Sequence, residues 1–219
     1  MIVGKLKPME EIASSISKYH RVLILGCGSC VSVCLSGGEK AAERLALDLM
    51  NADCFQKEAP EFKIGAVLRQ CERDLLEKTL EVPPGIDAIL SLACGAGVQT
   101  LVKIFDHIPV IPGLNTTFLG ALDKPGMWEE KCQGCGNCIL TSTAGICPIT
   151  RCAKRLLNGP CGGSKDGKCE INRDVDCAWQ LIIDRLTLLD RLEEYEHIIP
   201  PKDWSLDRGH GPRSMSYPE

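Results

Sequence analysis

The sequence predicts an α/β fold: a parallel-sheet domain over residues 1–125, a small irregular Cys-rich domain over 126–177, and a C-terminal amphipathic helix with an extended tail over 178–219. Three observations carry this. Short apolar runs alternate with helix-length amphipathic stretches up to about residue 125, the pattern of a parallel sheet covered on both faces. Beyond that point Cys and Gly crowd together, and neither a strand period nor a helix period persists. Apolar residues then return at helical spacing: Trp179, Ile182, Leu186, Leu189 and Leu192.

The elements follow in order. Residues 1–4 add a strand, and Pro8 suits the first turn of a helix running to about Tyr19. A continuous apolar run marks a strand at 21–26, and an amphipathic helix follows over about 38–51. Strands at 62–68, 87–92 and 108–111 alternate with helices at 72–80 and 98–106. Asp123-Lys-Pro-Gly126 marks the change of character. The Cys-rich segment lacks the apolar periodicity for a core, so it is expected to need a metal to order it. The helix over about 176–197 is read as packing on the rest of the protein. The last twenty residues fit a free tail and an arm that orders on a partner equally well.

Composition excludes several classes. The 219 residues are 44% hydrophobic and 25% charged, and the net charge is −4. A nucleic-acid footprint would show as a basic patch or stripe, and none is present. Apolar stretches are strand-sized, too short to span a bilayer. The N-terminus has no long apolar region, so no secretory signal is read and a cytoplasmic location is expected.

Cysteine is the outlier, with fourteen in 219 residues. Disulfide frameworks belong to small secreted domains, whereas Cys residues separated by two others converge well on one ion or cluster. Buried free thiols can explain a few of them, since Cys packs as a small hydrophobe, but not fourteen.

The first constellation sits on the predicted sheet. Cys27, Cys30 and Cys34 follow the strand at 21–26, Cys71 follows the next strand, and Cys94 follows the strand at 87–92. In a parallel sheet these strand ends share one edge, where sites of open α/β folds form. Four converging thiolates suit a [4Fe–4S] cluster, with Cys27, Cys30, Cys34 and Cys94 as the ligands and Cys71 in reserve. Cys54 reads as a bystander. Gly26, Gly28 and Gly95 are expected to let backbone approach the cluster and to offer it amides. A nucleotide-binding turn at Gly26-Cys-Gly28 fails because Val31 stands where that fingerprint needs Gly. A thioredoxin-like pair at Cys27 and Cys30 leaves Cys34 and Cys94 unexplained.

The second constellation is C-x2-C-x2-C at Cys132, Cys135 and Cys138, with Cys147-Pro148 after eight further residues. Bacterial ferredoxins use such a run, with a shorter gap before Cys-Pro. Cys152, Cys161, Cys169 and Cys177 follow, so this half holds the ligands of two four-thiolate sites. Two [4Fe–4S] clusters, or one cluster and a zinc, both satisfy that count. The second set has no C-x2-C knuckle, which favours two clusters and hence two to three in the chain.

These residues resemble a known family. Gly26-Cys-Gly-Ser-Cys30, Cys34-Leu-Ser-Gly-Gly-Glu-Lys40, Arg69-Gln-Cys-Glu72 and Ser91-Leu-Ala-Cys-Gly-Ala-Gly-Val-Gln99 look like the MetV-type iron–sulfur small subunits of methylenetetrahydrofolate reductase. Cys132 to Cys138 and Asn158-Gly-Pro-Cys-Gly-Gly163 resemble that enzyme's C-terminal region. The resemblance implies a flavin-containing catalytic partner subunit, a (β/α)8 barrel carrying FMN. It also implies an upstream donor, such as ferredoxin or a larger electron-transfer complex, and a place in anaerobic one-carbon metabolism by the acetyl-CoA pathway.

The expected role is therefore electron transfer without substrate chemistry of its own. His20, His107, His197 and His210 are isolated in the sequence, and acid–base candidates are scarce. The alternatives are an enzyme whose N-terminal cluster keeps an open coordination site, and a zinc- and cluster-stabilised structural or assembly subunit.

Overall fold

The computed structural model describes residues 1–51, 55, 59–208 and 211–216. Cys54, read above as a bystander, lies outside the described residues. The chain divides into two compact units, Met1–Phe118 with Leu122–Trp128, and Leu119–Ala121 with Glu129–Glu219.

In the first unit the elements run β1 (Ile2–Leu6), α1 (Met9–Ile16), β2 (Arg21–Cys27), the single turn α2 (Cys30–Val33), α3 (Glu39–Asn51), β3 (Glu61–Val67), α4 (Arg73–Thr79), β4 (Ala88–Leu92), α5 (Gly95–Ile104) and β5 (Val110–Pro112). The last four-stranded sheet has the order β3-β2-β4-β5, and every pair in it is parallel. The α/β expectation holds. Alternation along β2 explains the two-faced burial: Val22 and Ile24 join one apolar cluster, and Leu23 and Leu25 join the other. Residues Ile12, Ile16, Leu45 and Leu49 from α1 and α3 cover the first face, while Leu76 and Leu101 from α4 and α5 cover the second.

A second sheet goes beyond the expectation. β1 does not join the parallel sheet; it lies in a three-stranded sheet β1-β6-β7 with β6 (Leu114–Lys124) and β7 (Met127–Cys132). The Lys7 amide donates to the Gly113 carbonyl at 3.0 Å and the Thr117 hydroxyl to the Val3 carbonyl at 2.7 Å, so the β1–β6 pairing is antiparallel. The run at 114–124 has no clean apolar alternation, because most of β6 is exposed. What reads in sequence as a boundary at residues 123–126 is the turn between β6 and β7.

The second unit contains α6 (Pro148–Arg151), α7 (Ala178–Leu188), a 3-10 turn (Leu192–Glu196) and α8 (Ser205–Arg208). The expected helix over 176–197 is thus shorter: Asp190 adopts a left-handed φ of 55° and ends it. Contrary to the expectation above, the Cys-rich segment shares in a core. Trp179, Ile182 and Leu186 on α7 pack with Ala144 and Cys177, and the Arg185 guanidinium donates to the Ala144 carbonyl at 2.9 Å. Nor is the C-terminal segment a free tail. The buried Lys202 ammonium binds the Asn137 carbonyl, and Arg213 donates to the carbonyls of Gly134 at 3.0 Å and Leu206 at 2.9 Å. It folds onto the chain's own cysteine loop. No helix among the described residues is long and apolar enough to cross a membrane.

Candidate functional site

The carboxyl ends of β2, β3 and β4 stand side by side, because Cys27 pairs in register with Val67 and Gly26 with Leu92. Cys27 is the last residue of β2, Cys30 opens α2, and Cys94 precedes α5 immediately beyond β4. Cys71 lies just past the buried Gln70, whose side chain donates to the Leu25 carbonyl at 2.8 Å and accepts from the Ser91 hydroxyl at 2.6 Å. That bridge ties the loop after β3 to β2 and β4. Sequence reasoning missed Gln70, since one amide between Arg69 and Cys71 reads as ordinary loop polarity.

The thiols around this edge influence one another. Burial of its thiol pushes Cys71 up, and the charges of Cys94, Cys27 and Cys30 push in the same direction, although Cys71 as a residue is exposed. Cys30 is drawn down, chiefly by a backbone hydrogen bond from Ile2. Cys34, whose amide bonds to the Cys30 carbonyl one turn back, is buried; its thiol donates to the Ile2 carbonyl at 3.6 Å, and burial raises its pKa.

The glycine roles expected here need correction. A Cβ at Gly26 would stand 2.3 Å from the Gly38 carbonyl oxygen, so its bareness serves chain packing. The Gly28 amide donates to the Val67 carbonyl at 2.9 Å and the Gly95 amide to the Thr116 hydroxyl at 2.8 Å. Neither amide is left for a sulfide.

In the second unit, Cys132 ends β7, and Cys135 and Cys138 lie on the loop beyond it, in which Gly134 and Gly136 take left-handed φ values of 67° and 82°. The Gly134 amide consequently reaches the Cys132 sulfur at 3.3 Å. Cys147 precedes α6, and the Thr150 hydroxyl on that turn lies 3.4 Å from the Cys147 carbonyl and 3.5 Å from that of Lys131, beside Cys132. Cys147 and Lys131 line one open cavity.

Cys152, Cys161, Cys169 and Cys177 line another, together with Lys154 and Glu170. Cys152 directly follows α6, Cys177 directly precedes α7, and Cys161 and Cys169 lie in the irregular segment between them, so only the fold brings the four together. Backbone hydrogen bonds from Asn172 and Ile171 hold Cys169 below the ordinary thiol range. The Cys161 thiol donates to Glu170 at 3.4 Å, and Glu170 pairs with Lys154, which holds that carboxyl low. Asn158-Gly-Pro-Cys-Gly-Gly163 has a structural reason. Asn158 makes a two-bond clasp with the Ile199 backbone, donating to its carbonyl at 2.9 Å and accepting from its amide at 2.8 Å. A Cβ at Gly159 would stand 2.5 Å from the Trp179 ring, so the chain passes the aromatic only as glycine.

All thirteen described cysteines are free thiols. Among the described residues, no three His, Cys, Asp or Glu side chains group tightly enough to hold a single metal ion. A four-iron core asks for a wider ring, because each thiolate binds its own iron. The thiols stand at strand ends in one unit, and in the other around one cavity and on a loop with amides directed at sulfur.

Fold and donors define an α/β protein with a cysteine-lined second unit. Residues 111–205 match the family described as methylene-tetrahydrofolate reductase C terminal, which relates that stretch to methylenetetrahydrofolate reductase. The strand-end cysteines lie outside the matched residues. No curated protein and no solved structure matches the chain significantly.

Proposed function

We propose that this chain is the iron–sulfur electron-transfer subunit of a methylenetetrahydrofolate reductase complex, of the MetV type. It relays electrons from a donor such as ferredoxin to the FMN of a barrel-fold catalytic partner in the cytoplasm. The observation that carries the reading is the ring of Cys152, Cys161, Cys169 and Cys177 around one cavity, within a stretch related to that reductase.

Cys132, Cys135, Cys138 and Cys147 would hold a second cluster, and the sheet-edge cysteines a third. A cluster so held supplies one-electron transfer with no bond made or broken at the protein. The chain's own groups fix the thiolates and set how readily charge is accommodated there. Hydrogen bonds to cluster sulfurs help to set reduction potentials, so amides directed at sulfur, as at Cys132 and Cys169, have that role. The buried Lys202 and the exposed Arg213 hold the 132–138 loop through its carbonyls and bring positive charge beside it.

The test is reduction of the partner's flavin. The chain, purified anaerobically and reduced with dithionite, is freed of reductant and mixed with the FMN-loaded catalytic subunit in a stopped-flow cell. Bleaching of the flavin, with matching reoxidation of the chain's visible absorbance, is expected. A flavin that stays oxidised while the chain stays reduced overturns the reading.

A further inference from the structure

We propose that Lys202 is the counter-charge of the cluster held on the 132–138 loop, a positioning residue that raises that cluster's reduction potential. This rests on reading Cys132, Cys135, Cys138 and Cys147 as cluster ligands, and it names the group outside the thiols that tunes them.

A lysine is rarely buried unless it is paired. Lys202 is only 8% exposed, yet its side-chain partners are uncharged: the Asn137 carbonyl, and the face of the Trp204 ring 5.6 Å away. Among the described residues, the ion pairs of the second unit use other cations and leave Lys202 out. Asp203, the next residue, spends its carboxylate on the amide and hydroxyl of Ser205, at 3.0 and 2.5 Å. Those two bonds are what chiefly hold its carboxyl low, and the charge of Lys202 adds least. A carbonyl and a ring face offset only part of the cost of taking an ammonium out of water. The buried charge is left short of an anion.

The ammonium is tied to the place where an anion is expected. Asn137 stands between Cys135 and Cys138, so Lys202 bonds the backbone of the cysteine loop itself. Two further contacts fix the same alignment. A Cβ at Gly136 would stand 2.8 Å from the Leu206 carbonyl oxygen, so the two backbones lie directly against each other. Arg213 donates to the carbonyls of Gly134 and Leu206, at 3.0 and 2.9 Å. Gly134 lies in the first spacer of the C-x2-C-x2-C run, and Gly136 and Asn137 fill the second. The C-terminal segment thus grips both intervals between the three cysteines, and Lys202 is the buried one of the two cations that do so. Four thiolates outweigh the charge of a [4Fe–4S] core, so the loaded loop is an anion, and each electron accepted makes it more negative. A buried cation beside it favours the more negative state, because little solvent screens the pair. The electron comes from the donor and leaves to the flavin, and no bond at Lys202 forms or breaks.

The experiment is a redox titration of the full chain, purified anaerobically, following each EPR component in the wild type, K202M and K202R. Iron and acid-labile sulfide are assayed on the same samples. K202M removes the charge from a long side chain, and K202R keeps it. In K202M the midpoint of one component is expected to fall while the others stay, and K202R is expected to titrate near the wild type. An unmoved K202M midpoint at full iron content, or an equal fall in K202R, overturns the proposal and leaves the electron-transfer reading intact. If K202M loses one site's iron, about four atoms, K202R decides: iron kept there supports the role of the charge, and iron lost there overturns it. A second readout needs no variant: acylation of the wild type with N-hydroxysuccinimidyl acetate, located by mass spectrometry. Lys202 should resist the reagent in the iron-loaded chain and react once iron is removed. Reaction at full iron content, or resistance that persists after iron removal, contradicts the proposal. An iron-free wild type overturns the reading of these cysteines as cluster ligands, and the proposal with it.

Discussion

The two units place their thiols by different means. In the first, a parallel sheet buried on both faces fixes the strand ends: Ile24, Leu25, Ile89 and Leu90 are fully buried, and the cysteines stand where those strands stop. In the second, the core cluster of buried residues is Ala144, Cys177, Trp179, Ile182 and Leu186, and most cysteines lie on loops without regular structure. A framework with its own core holds a donor set before metal arrives, whereas a loop segment gains much of its order from the metal. The first unit should therefore be a preformed site and the second a metal-dependent one.

The sharpest way to break this contrast is to remove the metal. Anaerobic chelation should raise amide hydrogen exchange strongly across residues 132–177, while β2 and β4 keep their protection. Equal loss in both units, read by mass spectrometry, would show that the sheet also depends on its metal.

A smaller effect isolates the support beneath the first site. Gln70→Ala leaves the Leu25 carbonyl and the Ser91 hydroxyl without their side-chain partner, at a cost of about 1–3 kcal/mol for buried groups left unsatisfied. Denaturant unfolding should show that loss in the first unit's transition. An unchanged midpoint would mean that the bridge does not hold the edge.

How much of this is legible in the sequence also divides between the units. The apolar runs of β2 and β4 and the helical spacing of α3 are unbroken, so sheet and helix follow from periodicity. Convergence of Cys27, Cys71 and Cys94 follows in turn from parallel topology. β6 escapes notice because its exposed face carries no apolar alternation, and β1 reads as a strand without revealing its sheet. In the second unit, spacing marks Cys132, Cys135 and Cys138 as a set. Cys152, Cys161, Cys169 and Cys177 come together only through turns that no local pattern encodes, and the contacts of Lys202 and Arg213 are tertiary.

The smallest effect lies far from any thiol. Hydrogen bonds from Lys63 and Arg21 lower the Glu61 carboxyl from 4.5 to about 2. A carboxylate depressed on folding contributes stability that is complete above the unfolded value and fades as pH falls through the folded one. Glu61 is solvent-exposed, so its share is small. Glu61→Gln should flatten the acid limb of the first unit's stability between about pH 4.5 and 2. An acid limb identical to that of the wild type would show that these pairs do not act on folding.

The central claim is that the cysteines hold iron–sulfur clusters. Its most direct test is the metal content of the whole chain, purified without oxygen and assayed for iron, acid-labile sulfide and zinc. Three four-thiolate sites predict about twelve irons, matched by sulfide, with no zinc, and a reduced EPR spectrum of cubane type. A chain carrying zinc and no iron would contradict the account.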